Sequence, residues 1–472
     1  MKYIGPFLRM NSLKRENIEN QLFYFSKESL KYLVLNSKCG LTIPTKDLLK
    51  STSKFDINIF KSNSPLLCVY KKGNCKLDLE NNVLSLNYKK FKKEFNIFSN
   101  SLMTLSILEM AEYYDGFKGI DSEKYNLGRL YKGLARKQLE FYAANLRTPE
   151  GVFTDKVDSS DELFDETKLE NKNEKFRFSD HILMMDAYYR YSIMLNDSIS
   201  QSYRVFSKDI LNMIMNFKEE IYTVSTDELS KICLGLNIYF NYCNDTENRA
   251  LILDVMDLLL SRYNPLVLDS KNMESDLLTY INCRLFYKNF GILKFDNFAN
   301  NMASKILDIY DDEHSIFVKN PNKNDMEYYC TEVILYILSL CFYFSDGENK
   351  ADNDNIIMDV YKNMVVNSGL APSWPEAPTA SMAERYLNLS LNSKDLLDEI
   401  NYRMATIPTP ESAEAAPILL KSIVYNSKKQ IFKQGKLTFD TNRYLLCVFL
   451  ILFCLKPKGN IRKDNDELNK IT

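Results

Sequence analysis

Residues 333–344 read VILYILSLCFYF, and Ser339 alone interrupts the apolar run. A run of this length is too short to cross a bilayer. As a helix it would have no polar face, so protein must surround it. The segment that follows, residues 353–366, instead carries one apolar stripe between acids, Asn and Lys, which is typical of a helix at the surface. The two segments therefore predict a buried helix paired with a surface helix.

The same pairing recurs six times along the chain. Acidic or Thr-led loops open the apolar helices near Asp180, Thr226, Glu274, Asp325, Thr379 and Asp440. We predict the buried helices over residues 179–195, 227–243, 274–289, 326–345, 380–391 and 441–455. We predict their surface partners over residues 123–146, 203–218, 247–262, 296–310, 353–366 and 412–428. Because no hairpin can bury its apolar surface alone, neighbouring hairpins must stack. The strongly apolar inner set favours closure into an all-α (α/α)6 toroid over residues 97–456.

The two ends of the chain follow other patterns. Residues 1–96 combine a predicted helix from about Arg15 to Leu35 with short β-type runs, among them Leu66–Tyr70, Cys75–Leu79 and Val83–Tyr88. This pattern predicts a small N-terminal helix and β-hairpin appendage. Residues 457–472 are charged and lack aromatic side chains, so we expect a disordered tail.

The composition narrows the possible partners and compartments. Charges nearly cancel, with 60 Lys and Arg against 62 Asp and Glu, so we expect no nucleic-acid binding. We also expect no membrane span and no secretory signal, because residues 1–11 lack a long apolar core. Ten cysteines occur without a CxxC pair and are interpreted as reduced thiols. The expected compartment is the cytoplasm.

The repeat number and burial pattern resemble the six-hairpin toroid superfamily, the (α/α)6 barrels, over roughly residues 100–456. Members include glycoside hydrolases, polysaccharide lyases, sugar epimerases, terpenoid cyclases and lanthionine cyclases. The resemblance is architectural and rests on no signature motif. It implies that the functional cavity lies where the inner helices start, and therefore directs attention to the loops before them.

The loop before the first of these inner helices leaves two readings open. Asp180 sits near a predicted helix start, where it could cap the helix and satisfy unpaired backbone N–H groups. It could instead be a cavity carboxylate, with His181 beside it and Phe153 in the loop before. An acid at a helix N-terminus has its charged form stabilised by the helix dipole, which disfavours a general acid there.

The loop at residues 369–379 reads GLAPSWPEAPT, and its three prolines stiffen it. It holds Trp374, the only tryptophan of the chain, next to Glu376. An indole face stacks on sugar C–H groups while a carboxylate bonds hydroxyls, so the loop suits sugar recognition. The alternative is a tryptophan that plugs the end of the toroid, with prolines that merely break the helix.

Together these loops predict a glycoside hydrolase-like enzyme with two carboxylates about 5–10 Å apart. We assign Glu376 as the acid and Asp180 as the base or water-positioning group. The expected substrate-binding residues are Trp374, Tyr328, Phe153, His181, Glu327 and Asp440. Trp374 and Tyr328 would be the stacking platforms, and the partner would be an oligosaccharide or glycan.

The sequence lacks the motifs of metal sites, of nucleotide or phosphate binding and of serine hydrolases. The two histidines, His181 and His314, belong to no HExxH or HxH motif, so we expect no metal site. There is no GxGxxG, no phosphate-binding GxxxxGK[ST] and no GxSxG, and we expect no cofactor. The absence of a sharp catalytic motif keeps a second hypothesis open, a non-catalytic toroid that binds a partner protein or a glycan.

Overall fold

The computed structural model describes residues 15–49, 63–71, 73–80, 83–160, 168–173, 175–195, 197–243, 249–263, 273–320, 322–345, 350–375, 417–433 and 437–457. Its helices are α1 Arg15–Asn36, α2 Thr45–Leu49, α3 Ile97–Asp115, α4 Ser122–Asn145, α5 Phe178–Met194, α6 Ser198–Asn216, α7 Lys218–Ile221, α8 Thr226–Tyr242, α9 Arg249–Ser261, α10 Met273–Phe290, α11 Leu293–Asp308, α12 Cys330–Ser345, α13 Lys350–Val360 and α14 Thr441–Leu455. A π-helical turn, Tyr361–Asn367, continues α13.

Six helices form a closed ring within the described part of the chain. In order around the ring they are α3, α5, α8, α10, α12 and α14, and each packs against the next, with α14 returning to α3. Outside them, α4 packs on α3 and α5, α6 on α5, α9 on α8, α11 on α10 and α12, and α13 on α12. Helix α1 packs on α13 and α14 and fills the remaining outer position. The (α/α)6 toroid predicted from the sequence is confirmed.

The inner ring differs from the expectation in one member. Five predicted inner helices correspond to α5, α8, α10, α12 and α14, whereas the predicted inner helix at 380–391 lies outside the described residues. Helix α3 takes the sixth inner position. Its many serines obscure its burial in the sequence, but Ser101 and Ser106 return their hydroxyls to the carbonyls of Ile97 and Leu102, so they need no solvent.

The outer ring also departs from the expected pattern at one place. A surface helix was expected over residues 412–428, but the described part of that segment contains a strand, Ser422–Asn426. Helix α1, which the sequence pattern grouped with the N-terminal hairpins, lies against the toroid wall instead. Its buried residues include Leu22, Leu30 and Leu33, so packing on α13 and α14 covers one side of it.

Short antiparallel strands connect the helices, and three of them lead directly into inner helices. They are β1 Gly40–Thr42, β2 Leu66–Val69, β3 Gly73–Glu80, β4 Val83–Leu86, β5 Glu94–Phe95, β6 Lys156–Asp158, β7 Leu169–Asn171, β8 Tyr310–Asp311, β9 Ile316–Phe317, β10 Asp325–Tyr329, β11 Ser422–Asn426, β12 Ile431–Lys433 and β13 Thr438–Asp440. The sheets have the orders β1-β2, β13-β3-β4, β5-β6-β7, β8-β9 and β10-β11-β12. Strands β5, β10 and β13 directly precede α3, α12 and α14, so they fix the backbone at one end of the ring.

The other end of the ring is held by a buried charge network. Glu109 of α3 accepts hydrogen bonds from Arg190 of α5, Tyr242 of α8 and Lys456, which follows α14. A buried carboxylate must be paired, and these donors supply its partners. The network therefore closes the end where the inner helices finish. Among the described residues, no helix has both the length and the apolar composition needed to cross a bilayer.

Candidate active site

A cavity of about 400 Å³ opens where the inner helices begin. Its walls come from the first turns of α3, α5, α8, α10 and α14, so the closed ring brings together segments far apart in sequence. The acids that line it are Asp180, Asp227, Glu228, Glu274 and Asp440, and the cations are Lys71, Arg177, Lys231 and Arg443. The predicted convergence of acidic helix openings on one mouth is therefore observed for these residues.

Helix capping uses only part of this set of acids. Asp440 caps α14, with the amide of Arg443 donating to its side chain at 3.1 Å. Helix α5 begins differently, because Glu228 of α8 accepts from the backbone amide of Ser179 at 2.9 Å and from its hydroxyl at 3.0 Å. Asp180 therefore makes no cap and is available for another role.

Asp180 lies in a setting that favours its protonated form. Its side chain is 6 % exposed, and Arg177 Nη1 lies 3.3 Å from its Oδ2. Burial raises the pKa of Asp180 to about 7; the Arg177 charge opposes this shift, while Asp155 and Glu228 reinforce it. The helix dipole would favour the charged carboxylate, but burial outweighs that effect here. The carboxyl can therefore hold a proton near neutral pH and donate it.

Ion pairs balance the remaining charges of the mouth. Glu274 accepts from Arg443 and from the Thr331 hydroxyl, the latter at 2.6 Å. The Arg443 guanidinium also lies 3.9 Å from the centroid of the Tyr329 ring. On the next helix Lys231 donates to Asp227 at 2.6 Å. Two acids of the mouth, Asp227 and Glu274, are therefore paired with cations.

His181 and Phe153 lie together beneath the mouth and do not line the cavity. The His181 Nε2 accepts the Phe153 amide at 3.1 Å, so its Nδ1 is the donor, 2.8 Å from the Arg177 carbonyl. Burial lowers the pKa of His181 to about 4, which keeps the ring neutral. Both nitrogens bond the backbone, so His181 fixes the loop against the start of α5 and has no free atom for a substrate.

Tyr328 and Glu327 lie on β10, away from the cavity lining. Tyr328 is buried, and its hydroxyl donates to the Phe317 carbonyl at 2.6 Å. Glu327 accepts from the Ser422 hydroxyl at 2.7 Å, across the sheet. The expected stacking role does not suit Tyr328, because a ring packed on both faces cannot meet a sugar.

Trp374 packs inside the toroid wall. Its ring lies 4.6 Å from Phe25 of α1 and 6.2 Å from Tyr361, centroid to centroid, and 8 % of the residue is exposed. Trp374 therefore has a packing role, but it packs in the wall against α1 and not at the end of the toroid, where the alternative expected it. Glu376, the acid expected beside it, lies outside the described residues.

The structure adds three residues to the expected site. Arg177 contacts Asp180, and Asp155 contacts Arg177. Phe176 is 37 % exposed, with its ring stacked on the buried His181 at 4.3 Å. No sequence signal distinguishes Asp155 or Arg177, because neither belongs to a periodic pattern. Phe176 could have been noticed as an aromatic residue in a polar loop.

The described residues form no cluster of three or more His, Cys, Asp or Glu side chains with the spacing to hold a metal ion. The carboxyl groups and cations that line the cavity can transfer protons and pair charges. The parts of the site are the Asp180 carboxyl with its raised pKa, the ion pairs around it and the cavity that they line.

No protein-family model matches the sequence, and neither does any curated protein. Among solved structures, the chain is similar to a mutant of unsaturated glucuronyl hydrolase from Streptococcus agalactiae, with a TM-score of 0.44, 10 % identity and coverage of 97 % of this chain and 98 % of that one. The enzyme without that mutation gives a TM-score of 0.41 at 10 % identity, covering 96 % and 98 %. A likeness of this size indicates neither substrate nor reaction. The packing of its own helices makes this chain an (α/α)6 toroid.

Proposed function

We propose that this chain is a carbohydrate-active enzyme that hydrolyses a glycosidic bond in the mouth of the toroid, with Asp180 as the proton donor. The observation that supports it is a buried carboxyl at the wall of a cavity, with a pKa raised to about 7. Such a group can protonate a departing sugar oxygen at neutral pH. Sequence analysis assigned Asp180 as the base or water-positioning group, and we now propose it as the acid. Burial favours the protonated carboxyl, whereas the helix dipole alone would favour the charged one.

Hydrolysis also needs an ionised carboxylate in the same cavity. Asp227 is the candidate, because its side chain is 58 % exposed and faces Lys231 across one helical turn. This exposure leaves the carboxylate open to water and to a substrate in the cavity. In the proposed reaction, Asp180 gives its proton to the leaving oxygen while Asp227 activates a water molecule or attacks the sugar carbon.

A non-catalytic toroid is the second candidate. The observation that favours it is the pairing of the mouth's charges, namely Asp180 with Arg177, Asp227 with Lys231 and Glu274 with Arg443. Ion-pair networks that serve structure alone also perturb pKa values. Under this hypothesis the mouth binds a glycan or a protein partner without turnover.

The deciding experiment measures hydrolysis of aryl glycosides and unlabelled oligosaccharides, including uncharged and anionic sugars, between pH 4 and 9. We expect turnover of one sugar class, with a rate that falls as the pH rises through about 7, because Asp180 then loses its proton. Saturable glycan binding without turnover at any pH would favour the binding protein. Turnover that stays constant up to pH 9 would exclude Asp180 as the donor.

We also expect Phe176 to contribute a stacking surface for the sugar. One face of its ring lies on His181 with an interplanar angle of 25°, and the residue remains 37 % exposed beside Arg177, which lines the cavity. Replacing Phe176 with alanine should weaken glycan binding about tenfold, the size of one aromatic contact.

Isothermal titration calorimetry on the catalytically blocked Asp180→Asn protein measures this change without turnover. Phe176→Tyr is the matched control and should bind as tightly as the parent, because it keeps the ring. Equal affinity in the alanine and tyrosine variants would contradict the stacking role. Phe217→Ala provides a second control, because Phe217 is an exposed aromatic residue that directly follows the outer helix α6.

A further inference from the structure

Arg177 lies between two buried carboxyl groups. Its Nη1 is 3.3 Å from Asp180 Oδ2 and 3.5 Å from Asp155 Oδ2. Both acids are 4 % exposed, so water contributes little to their solvation. One guanidinium nitrogen is therefore shared between two acids, and neither acid has the parallel two-bond contact that Arg and a carboxylate form when paired alone.

Asp155 is held rigidly on its other side. Asn96 Nδ2 donates to both of its oxygens, at 3.1 and 3.2 Å, and the Ile97 amide donates to Oδ1 at 3.2 Å. Asn96 is also the cap of α3. Asp155 directly precedes β6, whose Lys156 pairs with Phe95 of β5. The carboxylate is thus tied to the start of α3 and cannot follow Arg177 if the arginine moves.

We propose that Asp155 is a positioning residue for the proton donor: by holding Arg177 in the shared position, it prevents a full ion pair with Asp180 and so keeps the Asp180 proton in place. The catalytic meaning of this role rests on the proposed function, whereas the coupling between the two acids does not. Asp155 acts in two ways. It takes part of the arginine's positive charge, and its own negative charge disfavours a second carboxylate nearby.

Other charged groups also face Asp180. Glu228 of α8 adds negative charge and raises its pKa, whereas Arg177 lowers it. Asp227, Lys231, Glu274, Asp440, Arg443 and Lys71 line the same cavity. Asp155 differs from all of these in its direct contact with Arg177 and its fixed attachment to α3.

The test is a direct titration of Asp180 by carbon-13 NMR of labelled aspartate carboxyls, with the signal assigned by its loss in Asp180→Asn. In Asp155→Asn, the new amide oxygen can still accept from Ile97 and Asn96, while its NH2 group replaces the oxygen that faces Arg177. The change therefore removes both the charge and the contact that holds the arginine. We expect the pKa of Asp180 to fall by about 1 unit or more. In Arg177→Gln we expect it to rise, because the only cation in contact with Asp180 among the described residues is lost.

Asp158→Asn is the matched control. Asp158 is a buried aspartate three residues after Asp155, and it accepts from the Tyr70 hydroxyl at 2.7 Å. Within the described structure it forms no ion pair with Arg177, so its replacement should leave the pKa of Asp180 unchanged. Combining Asp155→Asn with Arg177→Gln completes the cycle. If Asp155 acts through the arginine, its effect on Asp180 should shrink in the Arg177→Gln background.

An unchanged Asp180 titration in folded Asp155→Asn protein would overturn the proposal. So would an equal effect from Asp158→Asn. Should Asp155→Asn fail to fold, Asp155→Ala is titrated in its place, because it removes the charge without placing an amino group against Asn96. The same fall in the Asp180 pKa is expected, and an unchanged pKa contradicts the proposal. NMR needs no substrate, so it tests the coupling between Asp155 and Asp180 separately from catalysis. If the pKa shifts are as expected but no substrate is turned over, the proposed hydrolase function is wrong and the coupling still holds. With turnover present, the alkaline limb of the pH–rate profile should move to lower pH in Asp155→Asn.

Discussion

Replacing Asp180 with asparagine is expected to reduce turnover of the glycan substrate by about 100- to 10,000-fold, the usual contribution of a general acid. The amide is close in shape to the carboxyl and can still face Arg177, but it has no acidic proton to give. Substrate affinity should change far less, because the cavity walls remain. Single-turnover kinetics with the best substrate from the pH survey measures the chemical step directly.

The size of that loss should depend on the leaving group. An activated aryl glycoside needs little protonation to depart, so Asp180→Asn should impair it less than a natural oligosaccharide. Asp209→Asn, on the exposed face of α6, is the control and should retain full turnover. If Asp180→Asn were as active as wild type on both substrates, another residue of the mouth would be the proton donor.

Replacing Asp186 with asparagine is expected to stabilise the protein increasingly as the pH rises. Asp186 is buried on α5, and neither of its carboxyl oxygens has a hydrogen-bond partner among the described residues. It faces α8 where Gly235 permits close approach; a Cβ there would lie 2.5 Å from Ile182 Cγ2 and 3.6 Å from Asp186 Oδ2. Burial without a compensating cation raises the pKa of Asp186 well above its usual range.

The sign follows from the proton balance. Below the unfolded-state pKa, near 3.8, both states are protonated and Asp186 makes no difference. Above it, the unfolded chain loses the proton and the folded chain keeps it, so wild-type stability falls by about 1.4 kcal/mol per pH unit up to the folded-state pKa. Asparagine does not titrate, so the variant lacks this loss.

Urea unfolding at pH 4.5, 5.5, 6.5 and 7.5 gives the difference between variant and wild type at each pH. That difference should grow steadily in favour of Asp186→Asn. Asp209→Asn should give a difference that does not vary with pH, because the side chain is exposed in both states. A constant difference for Asp186→Asn would mean that the buried carboxyl has a partner or already carries its charge.

The alternation of inner and outer helices was predictable because it depends on each helix alone. The run at residues 333–344 is apolar on every side wherever it is placed, and α12 therefore lies inside the ring. Helix α3 was harder to assign, because its serines return their hydroxyls to its own carbonyls and need no water. Position in the outer ring is not a local property either, as α1 shows by packing on α13 and α14.

The candidate site was predictable only as a location. Acids at helix openings indicated the mouth, and Asp180 and Asp440 do line it. The sequence did not predict which aromatic residue is exposed near the mouth. Trp374 and Tyr328 are buried in the packing, whereas the Phe176 ring is exposed. A sequence shows that an aromatic residue is present. Whether a face of its ring is exposed to solvent depends on neighbours from other helices.

By itself, the sequence determined an all-α toroid, because burial patterns repeat with the period of the helix. The resemblance to (α/α)6 barrels, and not the periodicity, indicated a mouth at the inner helix openings. The tertiary structure alone decided the chemistry of that mouth. Asp180 is acidic at a helix start, where the dipole favours its charge, yet burial with Asp155 and Glu228 nearby favours its proton. These groups come from separate segments, and a pKa depends on distances in space that no spacing along the chain reveals.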